Sequence, residues 1–244
     1  MESHNFDQYE QVGSVTGSDT AKAFTARVFS WMFVGLATTG LLAYWFANTP
    51  SLIGSLYNPV TGGMSGLGYL VMFSPLALVL LMGFGINRLS YPAMVLTFLA
   101  YSALTGMSLS FIFLAYTATS IYSIFFITSG VFGVMALLGY TTSTDLTKFG
   151  SLLMMALVGV IIASIVNYFM HSSSLSYALS FLCVAIFTGL TAYDVQKIKQ
   201  IGSQVNINSG DATVGKMSIL GALTLYLDFI NLFLALLRIF GRRN

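Results

Sequence analysis

The chain has 244 residues, 56% of them hydrophobic and only 7% charged, with a formal net charge of +2. A water-facing surface carries about 25% charged residues, so a soluble globular fold is excluded, and the few scattered cations exclude a nucleic-acid surface. Cys183 is the only cysteine, which leaves no intrachain disulfide and no Cys/His cluster for zinc; it reads as a small apolar residue inside a helix.

Residues 1–23 read as a polar, mildly acidic cytoplasmic tail. They lack the basic start and apolar core of a cleavable signal peptide, so the first span is expected to direct its own insertion. Apolar runs follow at Val28–Ala47, Leu67–Ile86, Tyr91–Tyr116, Ile121–Tyr140, Phe149–Met170, Leu175–Val195 and Met217–Phe240. Each is close to the ~20 residues that cross a bilayer, and each is apolar around its whole circumference. An uncharged Gly/Ser/Pro/Asn-rich loop separates the first two runs, with Pro92 at a tolerated first-turn position of the third. A polar loop, Gln200 to Gly215, precedes the last. Gly130, Gly133, Ala156 and Gly159 read as close-packing positions. The fold expected is an all-α integral membrane protein, a seven-transmembrane-helix bundle over residues 24–241, with a short basic C-terminal tail at 242–244.

Lysine and arginine set the orientation. Lys22 and Arg27 stand at the entrance of the first span, and alternate loops carry Arg88, Lys148, and Lys197 with Lys199. The N-terminus is therefore expected in the cytoplasm. Seven crossings then put Arg238, Arg242 and Arg243 outside, against the rule, and a re-entrant last segment is the competing reading. The length of Met217–Phe240 favours a full crossing. Short tails and the lack of a long extramembrane domain suit a bacterial inner membrane.

Two acidic residues stand where charge is expensive. Asp228 lies near the middle of the seventh run and Asp194 near the cytoplasmic end of the sixth. An ionised carboxylate at mid-membrane costs several kcal/mol and faces a partner or a water-filled cavity. Asp228 lies twelve residues beyond Lys216, ~18 Å along a helix, whereas Asp194 is one turn from Lys197. The two meet only if the sixth helix stays buried past Val195 or the seventh begins outside the bilayer. Two carboxylates that share a site cannot both ionise cheaply, which makes the pair a proton sensor. Fully charged, it is also an oxygen-rich site for transient calcium.

Arg27 and Arg88 are candidate counter-ions or latches, though snorkelling anchors are the plainer reading; Arg238 reads as a boundary residue. Asn167 and Asn231 are expected to bond between helices. Gly63-Met64-Ser65-Gly66 matches the GxSG string of intramembrane serine proteases, but only His4 and His171 are available as a base. Tyr193-Asp194 and Asp228 also match part of the presenilin-like aspartyl protease pattern. Leu225-Tyr226-Leu227 stands where that pattern needs Gly-x-Gly, and no Pro-Ala-Leu follows.

Tyr193-Asp194-Val195-Gln196-Lys197-Ile198, Leu225-Tyr226-Leu227-Asp228-Phe229-Ile230-Asn231-Leu232-Phe233, Leu236-Leu237-Arg238-Ile239-Phe240-Gly241 and Arg27-Val28-Phe29-Ser30-Trp31-Met32 together resemble the Bax inhibitor-1 (transmembrane Bax inhibitor motif) family. The resemblance implies a seven-helix bundle with the last helix central, and a pH-responsive calcium leak gated by Asp194 and Asp228. It also implies an arginine latch at the end of the second span, where Arg88 stands. Its expected contacts are membrane lipid, calcium as the permeant ion and membrane-protein partners, with no nucleic acid and no cofactor. A non-enzymatic leak channel is the leading expectation. A regulator of cell stress or membrane-protease control is the alternative, and an intramembrane aspartyl protease a further one.

Overall fold

The computed structural model describes residues 3–58, 63–205 and 211–244. Helices run in the order α1 (Ser3–Ala47), α2 (Pro50–Leu56), α3 (Gly66–Gly85), α4 (Tyr91–Leu109), α5 (Ile112–Ala115), α6 (Ala118–Thr141), α7 (Thr147–Met170), α8 (Ser173–Gln204) and α9 (Asp211–Phe240). Seven of them are long and apolar enough to span a membrane. Their outward faces carry Phe33, Phe84, Phe126 and Phe169, each at least 72% exposed. A surface of that kind is tolerable in lipid and not in water.

α9 is the axis of the bundle. It touches α1, α4, α6 and α8, and Leu225, Tyr226 and Leu232 on it are fully buried. Two apolar clusters stack along it. The one nearer the lysine-rich end joins Val28, Phe98, Val195, Ile219 and Tyr226; the other joins Ile124, Val160, Phe187 and Leu236. The Tyr226 hydroxyl donates to Thr39 Oγ1 at 2.7 Å, and Thr39 donates in turn to the Ser102 carbonyl at 2.8 Å. That chain of bonds ties α1, α4 and α9 inside the first cluster, where an unpaired hydroxyl would be costly.

Several expectations need revision. The loop after the first span contains α2 and a two-stranded hairpin, β1 (Tyr57–Asn58) against β2 (Gly63–Met64). Its tip, residues 59–62, lies outside the described residues. α1 begins at Ser3, so helix continues upstream of the span, and Ala21 and Phe24 lie against Gly202 of α8. α8 runs to Gln204 and α9 begins at Asp211, so the expected loop from Gln200 to Gly215 is mostly helix; residues 206–210 lie outside the described residues.

The close helix contacts also fall elsewhere. A Cβ added at Gly130, Gly133 or Gly159 meets nothing within 4 Å. Backbone-to-backbone approach occurs instead at Gly106, against Thr39 of α1, and at Gly139, against Ala192 of α8. Ala156 does pack, against the second cluster. Small residues permit approach, but which face of the helix they occupy decides whether a neighbour is there.

Candidate functional site

Local chemistry fixes the end of α8 before any site is considered. Gln196 is a clamp: its Oε1 accepts from the Leu146 amide at 2.9 Å, and its Nε2 donates to the Thr144 carbonyl at 2.8 Å. Lys199 donates to the Tyr140 carbonyl at 2.7 Å and lies 4.8 Å from that ring. Tyr193 packs flat over Gly150 of α7, where a Cβ would strike its ring. With Tyr193, Gln196 and Lys199 committed to α6 and α7, and Val195 wholly buried, Asp194 and Lys197 are left to face a cavity.

That cavity, about 970 Å³, is bounded by α7, α8 and α9. It is lined by Asp194 and Lys197 from α8 and by Thr224, Asp228, Asn231 and Arg238 from α9. Asp228 is 4% exposed, and its Oδ2 has no hydrogen-bond partner. Its carboxyl lies within hydrogen-bonding reach of Asp194, and Lys197 acts electrostatically on Asp194. The helix lengths allow the meeting. α8 stays buried past Val195, at Gln196, Ile198 and Gly202, and α9 starts seventeen residues before Asp228, ~25 Å of helix.

Two smaller cavities share lining residues with the main one. One, about 230 Å³, shares Asp194, Lys197 and Thr224 and reaches Phe24 and Ile86 toward the lysine-rich end. The other, about 480 Å³, shares Ser164, Tyr168 and Arg238 and reaches Asn167, His171 and Ser176 at the opposite end. The smaller inner cavity borders Asp194 and the outer one borders Arg238, and the polar side chains of α9 recur at 224, 228, 231 and 238. These positions share one helix face.

Arg27 and Arg88 are exposed, and Arg88 sits in the turn after α3. Among the described residues the only ion pair joins Lys22 to Asp19 at 3.4 Å, so neither arginine meets an aspartate; the cation beside the pair is Lys197. Asn167 donates to Ser176 Oγ at 2.6 Å across the α7–α8 junction. Asn231 donates to the Leu227 carbonyl of its own helix at 2.8 Å and borders the cavity, where bonding between helices was expected. Cys183 is half-buried in α8 and also lines the cavity.

Ser65 has a structural occupation. It caps α3, accepting from the Gly68 amide at 3.0 Å, and donates to the Ser55 carbonyl at 2.6 Å. His171 is the left-handed C-cap of α7, and the side chain of His4 lies outside the described residues. Sequence reasoning passed over Thr224 and Ser164, which line the main cavity; the spacing of Thr224 four residues before Asp228 was the available signal. For calcium, the donors are two carboxylates with Thr224 and Asn231 nearby. Calcium takes 6–8 oxygens, and among the described residues no group of three or more metal-binding side chains occurs. These side chains alone supply fewer oxygens than that.

Comparison with known proteins follows the same outline. The family model described as an inhibitor of apoptosis-promoting Bax1 matches residues 21–244. The chain is 46% identical over 223 residues to the inner membrane protein YbhL of Escherichia coli K12, covering 91% of this chain and 93% of that one. An uncharacterized protein of Rickettsia prowazekii, RP147, is 42% identical over 229 residues, with coverage of 94% and 93%. One from Borreliella burgdorferi is 43% identical over 221 residues, with coverage of 91% and 92%.

Proposed function

The chain belongs to the Bax inhibitor-1 family as a multi-pass protein of the bacterial inner membrane, and we propose that it is a pH-sensitive, calcium-permeable leak channel gated by Asp194 and Asp228. One observation carries this reading: two carboxyl groups from neighbouring helices meet at a cavity that shares lining residues with a smaller cavity on either side. Like charges this close do not ionise independently, so proton occupancy and helix–helix attachment are coupled. With one proton shared, the pair holds α8 to α9 and closes the passage. With both carboxylates charged, repulsion loosens that contact, and the same oxygens attract a divalent cation.

Lys197 biases the balance from the inner side. A latch role for Arg88 or Arg27 requires a different arrangement of the inner turns, because both side chains are exposed here. The test is calcium flux into liposomes of defined lipid from pH 6 to 8, normalised to inserted protein. Asp194→Asn and Asp228→Asn should each flatten the pH profile rather than merely scale it, and the double variant should fall short of additive effects. Wild-type profiles in both single variants would sink the proposal in favour of a regulator acting through protein partners. Cleavage of a membrane peptide, abolished in both variants, would favour the aspartyl protease.

A further inference from the structure

The outer cavity has chemistry that the leak reading does not use. Arg238 is exposed, borders both the main cavity and the outer one, and among the described residues has no carboxylate paired with it. The outer cavity around it contains hydroxyl, amide and imidazole groups and no acid. From Arg238 inward the walls become apolar, through Ile165, Ile161 and Phe187, until Asn231 and Asp228. α7 packs chiefly on α8 and has no extensive contact with α9, so the trough between α7 and α9 opens sideways into the bilayer.

We propose that this outer trough binds one anionic phospholipid, its phosphate held at Arg238 and one acyl chain laid between α7 and α9 toward Asp228. The dimensions agree. Arg238 and Asp228 are ten residues apart on α9, ~15 Å of helix, which is half of the ~30 Å hydrocarbon core and hence the depth of one leaflet. Guanidinium is suited to phosphate because it offers several planar donors. The absence of an acid among the lining residues of the outer cavity disfavours a zwitterionic headgroup, whose ammonium would find no counter-charge. A free phosphate would use the arginine and leave the apolar trough unused. The site goes beyond the leak reading and stands whether or not ions pass, although a chain seated there would occupy the outer half of the passage.

Purified full-length protein in mild detergent is challenged with phosphatidylglycerol and phosphatidylethanolamine of equal chain length, and retained lipid is read by native mass spectrometry. One phosphatidylglycerol per chain is expected, retained better than phosphatidylethanolamine, whose ammonium finds no counter-charge in the outer cavity. Arg238→Gln should lose about tenfold in retention and Arg238→Lys much less. Arg243→Gln removes the same charge at the same end but outside the trough, and should retain lipid normally. Ser164→Phe, which fills the junction of the two cavities, should lose lipid with Arg238 intact. Equal retention of the two lipids, equal loss in Arg243→Gln and Arg238→Gln, or displacement by millimolar inorganic phosphate would each overturn the proposal. Calcium flux is not a readout, so failure of the channel reading would leave these outcomes unchanged.

Discussion

Asp228 lies in an apolar run, where a carboxylate has few explanations, and it is buried beside Asp194. Its partner was harder to fix: Asp194 reads equally as an interfacial acid beside Lys197, and only the buried length of α8 past Val195 decides otherwise. The counter-ion was legible in type but not in identity. Arg88 follows an apolar run as a latch should, yet it is exposed and does not line the cavity, while Lys197 does. Lys197→Gln is therefore expected to alter the pH profile of calcium flux, and Arg88→Ala to leave it near wild type. A raised resting leak in Arg88→Ala would restore the latch. The buried hydroxyl chain gives an independent stability test. Tyr226→Phe leaves Thr39 bonded to the Ser102 carbonyl and should cost about 1 kcal/mol in detergent unfolding. Thr39→Val removes the bonds to both the Tyr226 hydroxyl and the Ser102 carbonyl, leaving Thr105 as the neighbour of that hydroxyl, and should cost more, about 1–3 kcal/mol.

Helices were legible to within a few residues wherever an apolar run ended in polar loop residues, as at Tyr140–Thr142 or Met170–His171. They were misjudged where polar sequence stays helical. The continuation of α8 to Gln204 is amphipathic, buried at Ile198 and Gly202 and exposed at Lys197 and Gln200, so hydropathy alone ends it too soon. Helix contacts were similarly misread, since composition identifies small residues but not the side they face. Gly139→Ala puts a methyl group against the Ala192 carbonyl and should destabilise the α6–α8 contact by about 1–3 kcal/mol. Gly130→Ala enters open space and should be neutral or slightly stabilising by helix propensity; comparable losses in both would contradict the packing described. Ahead of α7, the Thr147 hydroxyl and amide donate to Asp145 at 2.6 and 2.9 Å. Those bonds hold the carboxyl below the usual carboxylate range. A lowered value means that its support for the first turn of α7 is present above the ordinary carboxylate range and is lost as pH falls through the lowered value. Protection of the Thr147 amide, relative to its intrinsic exchange rate, should therefore fall in Asp145→Ala at neutral pH, and in the wild type only at strongly acid pH.

At the scale of the whole molecule, composition and run length were enough for a seven-helix bundle, whereas the direction of the last helix set two rules against each other. Seven of the ten lysines and arginines lie at one end of the bundle, and Arg238, Arg242 and Arg243 at the other. The three are a minority tolerated because α9 is the most buried span, and its apolar length must be covered by the surrounding helices. Its inner start is fixed by Lys216, which donates to the Ile86 and Leu89 carbonyls at 2.9 and 3.3 Å. Its outer end is stitched to the α5–α6 junction: the Thr117 amide donates to the Arg242 carbonyl at 3.0 Å, and the Asn244 amide to the Ala115 carbonyl at 3.1 Å. A re-entrant α9 could not make both sets of bonds, since α3 ends and α6 begins on opposite faces. Reporters placed in the 142–146 loop and after Arg243 should therefore read opposite sides, cytoplasmic for the first and external for the second. If both read cytoplasmic, α9 does not cross and the outer stitching is wrong. If the two exchange sides, the bundle stands as described and the charge rule has assigned its orientation backwards.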